Sequence, residues 1–159
     1  MRLSIIAVGK IKEKFYTDAI QEYRKRLSNY CKLEIIEVAD EKTPDKAGIN
    51  LEQQIKEREG NRIISQIKED AYVIALVIEG KMLDSVSFSE CINQLGIHGS
   101  SHIAIVIGGS LGLAQTVLDR ADQKISFSKM TFPHQLMRVI LLEQIYRAYR
   151  IIHNEPYHK

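Results

Sequence analysis

The chain alternates short, branched apolar runs with longer stretches whose apolar positions recur at helical spacing. Residues 3–8, LSIIAV, have the length and composition of a buried strand. Over residues 15–30, Ala19, Ile20, Tyr23, Leu27 and Tyr30 fall near one stripe of a helix. Residues 33–38 read as a second strand. The segment ADEKTPDKAGIN is a polar loop punctuated by Pro44 and Gly48, and residues 51–67 form a helix weakened at Gly60. A third strand is predicted over 71–78, a short helix over 87–95, a fourth strand over 102–107 and a helix over 111–121. A last strand over 125–128 leads through KMTFP into a helix from 134 to about 152.

This order predicts a single α/β domain with a mostly parallel sheet and helices on both faces. Ligands of such sheets bind outside the carboxyl ends of the strands. Three loops are expected there: Glu79-Gly80-Lys81, the glycine segment from Gly108 to Gly112, and the KMTFP loop. Glycines at such ends allow a ligand to approach the backbone, although ordinary turn and cap roles explain them too.

A length of 159 residues with 45% hydrophobic content suits one well-buried core. The first apolar run spans only about six residues, short for a signal-peptide core. No later run approaches the roughly 20 apolar residues of a membrane span. The expectation is a soluble, cytoplasmic protein that makes no membrane contact. Cys31 and Cys91 stand alone, without the spacing of a zinc site or disulfide framework, and are expected to be reduced and structural. The net charge of +2 announces no nucleic-acid partner, but its distribution is uneven. Residues 129–159 carry five basic side chains (Lys129, Arg138, Arg147, Arg150, Lys159) against Glu143 and Glu155. An anionic partner docking there and a solvated helix face both account for this segment.

The glycine segment, VIGGSLGLAQTV, matches G-x-S-x-G through Gly108-Gly109-Ser110-Leu111-Gly112, the pattern of a nucleophile elbow. It matches neither G-x-G-x-x-G nor a phosphate loop with Lys-Ser/Thr. A serine hydrolase would need Asp119 or Asp122, then His134, His153 or His158, but both aspartates lie on or at the end of the helix that follows the serine. The final helix is apolar on nearly every face, which marks a helix fully buried or shared with a second subunit. Sharing in a homodimer, with a basic tail bearing His and Tyr beside the interface, is the expectation.

The combination of VIGGSLG, SFSKMTFPHQLMRVILLEQIYRAYRI and the terminal PYHK resembles the ribosomal RNA large-subunit methyltransferase H family of the SPOUT superfamily. AVGKIKEKF and EREGNRI extend the resemblance over the whole chain. It implies transfer of a methyl group from S-adenosylmethionine to N3 of a pseudouridine in 23S ribosomal RNA of the large subunit or assembled ribosome, by a homodimer with a C-terminal trefoil knot. By position, cofactor contacts fall at Leu76, Gly108, Phe127, Ser128, Lys129, Met130, Thr131 and Phe132. Val77 stands where the family often has an acid directly after the leucine, so no catalytic acid is expected there. Ser110 becomes a turn or cap residue.

Methyl transfer from a sulfonium is an in-line displacement that requires no metal, and a base or cation assists deprotonation of the weakly acidic imide. His134, Arg147, Tyr157 and His158 are the expected catalytic set, with Arg138 and Lys159 as RNA contacts. His134 and Arg138, four apart, share a helix face, whereas Arg147 points roughly opposite. The site is therefore expected to be composite across a dimer, with Tyr157 stacked on the base and Arg147 and Lys159 holding phosphates. A ribosome-binding module without enzymatic activity, using only the basic tail, is the alternative from another class.

Overall fold

The computed structural model describes residues 1–159. The elements follow as β1 (Arg2–Val8), α1 (Lys14–Leu27), β2 (Lys32–Val38), α2 (Ile49–Gln66), β3 (Tyr72–Met82), α3 (Ser85–Ile97), β4 (His102–Ile107), α4 (Gln115–Arg120), β5 (Gln123–Ser126) and α5 (His134–Ile152). The five strands form one all-parallel sheet in the order β2-β1-β4-β3-β5. The runs without polar alternation, in β1 and β4, occupy central positions and are buried on both faces, as parallel strands require. β2, which alternates KLEIIEV, and the short β5 take the edges.

The two-residue period of the strands sorts the core into two layers. Leu3, Ile5, Ile103 and Ile105 point to one face with Ile20 and Leu27 of α1, Phe88 and Ile92 of α3, and Leu141, Leu142 and Ile145 of α5. Ile6, Val8, Ala104 and Val106 point to the other face with Ile63 of α2 and Val117 of α4. Helices thus cover both faces, and no helix is long and apolar enough to cross a membrane.

Three boundaries differ from expectation, each for a tertiary reason. β3 continues to Met82 because Lys81 and Met82 pair with Ile125 and Ser126 after a register break that follows Leu76. A side chain at Gly80 would fall 2.6 Å from the Ile125 carbonyl carbon, so this glycine serves the contact with β5 rather than a ligand. α4 begins at Gln115 rather than residue 111, because a Gly109–Gly112 turn and two extended residues come first. Gly60 does not interrupt α2: a methyl group there would fall 2.7 Å from Ala114 Cβ, so the glycine lets α2 approach the end of the glycine loop.

Every residue of α5 is at least half covered within one chain, because α1 and α3 flank it on the sheet. Much of the apolar character that suggested a shared helix is therefore used inside the domain. Cys31 and Cys91 are free thiols, the first buried in the core.

Candidate functional site

The carboxyl ends of β3, β4 and β5, with the start of α5, enclose a cavity of about 900 Å³, within the range of small-molecule sites. Its walls are residues 76–79, 107–113, 126–128 and 130–134, with Lys56, Leu118 and Met137. Seven of the eight positions expected to contact a cofactor line it: Leu76, Gly108, Phe127, Ser128, Met130, Thr131 and Phe132. Lys129 does not. A smaller crevice of about 560 Å³ at the opposite edge, around Arg2 and His102, holds none of the expected site residues.

The loop after β5 is tied by its own hydroxyls. Ser126 Oγ donates to the Ser128 carbonyl at 3.0 Å, and the Met130 N–H donates to Ser128 Oγ at 2.9 Å. The Phe127 ring meets Phe88 edge-on at 5.9 Å, anchoring that wall in the core. In the loop after β4, Gly112 donates its N–H to the Gly109 carbonyl at 3.1 Å and has a left-handed backbone, φ 85°. A side chain on Gly108 would fall 2.9 Å from Gly112 C and 3.1 Å from Leu113 Cδ2. The absence of a side chain at Gly108 is thus required by the fold of the loop on itself. Ser110 is exposed and lies five residues before α4, so it is neither on a strand-to-helix elbow nor a helix cap. Asp119 bonds Gln115, and Asp122 receives the Val73 N–H at 2.7 Å, which leaves no triad around the serine.

Beside the cavity, β1 and β4 are neighbours whose chains leave in opposite directions, β1 through α1 toward β2 and β4 through α4 toward β5. Such a switch point is where parallel sheets open a crevice. His134 stands at this place: its Nε2 lies 3.4 Å from where a side chain on Gly9 would begin, and Asp40 Cβ lies 3.8 Å from the same point. Gly9 takes a left-handed conformation, φ 85°, that ends β1 tightly below the ring. Burial, then the positive charge of Arg138, lowers the His134 pKa below the ordinary imidazole value, against opposing Asp40 and Glu13. The ring is neutral at neutral pH and able to accept a proton.

Arg138 corrects an expectation. It is not an RNA contact in this fold: only 1% of it is exposed, and it donates to the Val8 carbonyl at 2.8 Å, the Gly9 carbonyl at 2.6 Å and Glu37 Oε2 at 2.7 Å. The sequence carried a faint signal for this role, since a cation at a helix position flanked by Met137 and Val139 needs a buried acceptor.

The remaining expected residues gather elsewhere. Arg147 lies thirteen residues beyond His134, about 20 Å along the helix. Its guanidinium holds Glu143 Oε1 at 2.6 and 3.0 Å, lies 4.7 Å from the Tyr157 ring centre, and contacts His158 Nδ1 at 3.3 Å. Tyr157 donates to Glu143 Oε1 at 3.2 Å and packs edge-on against Tyr146; burial and the negative Glu143 push its pKa up to about 12. Arg150 is bound to Glu155, Tyr30 and the Pro156 carbonyl. Three of the five cations of the basic segment are therefore held internally, while Lys129 and Lys159 stand exposed without ion pairs. The four expected catalytic residues thus form two separate groups in one chain: His134 at the cavity, and Arg147, Tyr157 and His158 at the far end of α5.

The family model described as Predicted SPOUT methyltransferase matches residues 1–158. Proteins named Ribosomal RNA large subunit methyltransferase H, from Bifidobacterium adolescentis and from Clostridium botulinum strain Hall, are each 64% identical over 159 residues, the full length of both chains. In fold, the chain is similar to a solved probable methylase family protein from Haemophilus influenzae, with a TM-score of 0.55 at 12% identity, over 99% of this chain and 70% of the other. The domain is thus a methyltransferase of the SPOUT type. Within that class, the chain belongs to the ribosomal RNA large subunit methyltransferase H family.

Proposed function

We propose that this protein transfers a methyl group from S-adenosylmethionine to N3 of a pseudouridine in 23S ribosomal RNA, on the large subunit or assembled ribosome, in the cytoplasm and as a homodimer. The observation that carries the reading is the single cavity uniting Leu76, Gly108 and residues 127–132, with His134 at its rim. The lining suits the cofactor: half of it is hydrophobic, as an adenine and an aliphatic arm require, and the glycine loop lacks the Lys-Ser/Thr of a phosphate loop, Lys56 of α2 being the one Lys or Arg in the wall. Leu76, Gly108, Phe127, Ser128, Met130, Thr131 and Phe132 would hold it, and Lys129 would cover it from outside. Bound there, the cofactor supplies an electrophilic methyl group on a sulfonium.

The chain's own residues supply alignment and proton handling. His134, neutral because of burial and Arg138, takes the imide proton and leaves a nucleophilic nitrogen. Arg147, Tyr157 and His158 lie too far from His134 to serve the same cavity, so a second copy brings its tail to this one. There Tyr157 stacks on the target base and Lys159 meets phosphate. The full-length likeness to proteins named for ribosomal RNA supports the choice of substrate.

Calorimetric titration with S-adenosylmethionine tests the cofactor, and tritiated methyl incorporation into ribosomes lacking the modification tests the substrate. Micromolar binding and incorporation confined to large-subunit RNA are expected. Absence of both heat and a melting shift at saturating cofactor overturns the reading.

A further inference from the structure

Beneath the glycine loop lies an acid that none of these roles uses. Glu59 of α2 is only 5% exposed. Its Oε1 accepts the Glu41 N–H at 3.0 Å, whereas Oε2 is buried with no hydrogen-bond partner. A side chain on Gly109 would begin 3.0 Å from Oε2, 3.4 Å from Oε1 and 3.2 Å from Val8 Cγ1. The missing side chain of Gly109 is thus the space the carboxyl fills. The next residue, Gly60, permits a similar approach to Ala114 at the other end of the loop, and Lys56, one turn earlier, reaches the cavity wall. One helix face, Lys56-Glu59-Gly60, is fitted to the cavity loop over its whole length.

We propose that Glu59 is a positioning residue for the cavity, its carboxyl clamping Gly109 and the start of the β2–α2 segment together so that residues 108–112 keep the shape that receives the methyl donor. This rests on the proposed cofactor. The carboxyl needs no charge to act as a clamp, and its surroundings disfavour one: burial raises its pKa, Asp40 adds to the rise, and the Glu41 N–H and Arg62 oppose it.

The test is S-adenosylmethionine affinity by calorimetry for wild type, E59A and E59Q, with folding checked by thermal melting. E59A should bind about tenfold more weakly while still folded. E59Q, a neutral isostere, should recover most of that loss. E59A equal to wild type, or E59Q as weak as E59A, would each overturn the clamp. Should E59A fail to fold, G109A takes its place: weaker binding in a folded protein is expected, because the new methyl group presses on the carboxyl, and unchanged binding overturns the proposal. Failure of the wild type itself to bind overturns the cofactor reading and this one with it, whereas binding unaffected in the variants removes Glu59 alone.

Discussion

Replacing Arg138 with methionine separates a buried structural cation from an RNA contact. Methionine keeps most of the apolar stem but removes every donor, so the Val8 and Gly9 carbonyls at the end of β1 lose the guanidinium that now reaches them at 2.8 and 2.6 Å. An orphaned buried acceptor costs about 1–3 kcal/mol. Glu37, whose side chain is 36% exposed, turns to water and adds little. Breaking a fully buried pair costs about 3–5 kcal/mol, and this half-exposed pair should lie toward the lower end, at about 2–4 kcal/mol. With a urea dependence of about 1–3 kcal/mol per molar, the unfolding midpoint should fall by roughly 1 M or more. Loss of the positive charge should also raise the His134 titration midpoint, measured from its ring protons by NMR, toward the ordinary imidazole value. Urea unfolding followed by circular dichroism provides the first number. A stability change under about 1 kcal/mol, or a His134 midpoint that does not move, would refute the assignment.

Gly108→Val should open the loop, since its side chain meets Gly112 and Leu113 within about 3 Å, lowering stability by about 1–3 kcal/mol and weakening cofactor binding in calorimetry. Deleting Pro156 to Lys159 should spare cofactor affinity, because none of the residues proposed to hold the cofactor lies in the tail, while removing methyl incorporation into ribosomes; full incorporation by the truncated protein would exclude a role for Tyr157 and His158. The same deletion should cost only about 1–2 kcal/mol of stability, from the Tyr157 contacts with Tyr146 and Glu143. His102, 4% exposed and bonded to Ser4 Oγ at 2.8 Å, has a pKa lowered by burial, partly offset by Asp70. Its neutral form therefore supports the fold above about pH 6.5, the unfolded value, and that stability is lost as acid protonates the unfolded chain first. The drop in melting temperature from pH 7.5 to pH 5 should be smaller in His102→Gln than in the wild type.

Hydrophobic period alone determined most of the architecture. Ten elements in the right order, an α/β class and two covered faces follow from runs such as SIIAV and HIAIVI, because a strand buried on both sides has no room for polar alternation. The loops at the carboxyl ends and their glycines were legible for the same reason, and seven of the eight positions expected to contact a cofactor line one cavity. What each glycine is for belongs to the tertiary structure: Gly60 makes room for Ala114, Gly80 for Ile125 and Gly109 for Glu59, and these partners lie between 45 and 54 residues away along the chain. Charge was equally opaque. Composition counts Arg138, Arg147 and Arg150 as one basic segment; Glu143 and Glu155 pair with the latter two from nearby positions, but only folding brings Glu37, 101 residues away, against Arg138. A run of sequence records which charges exist, and the energy of each depends on the dielectric and the partners around it, which are set when distant segments pack.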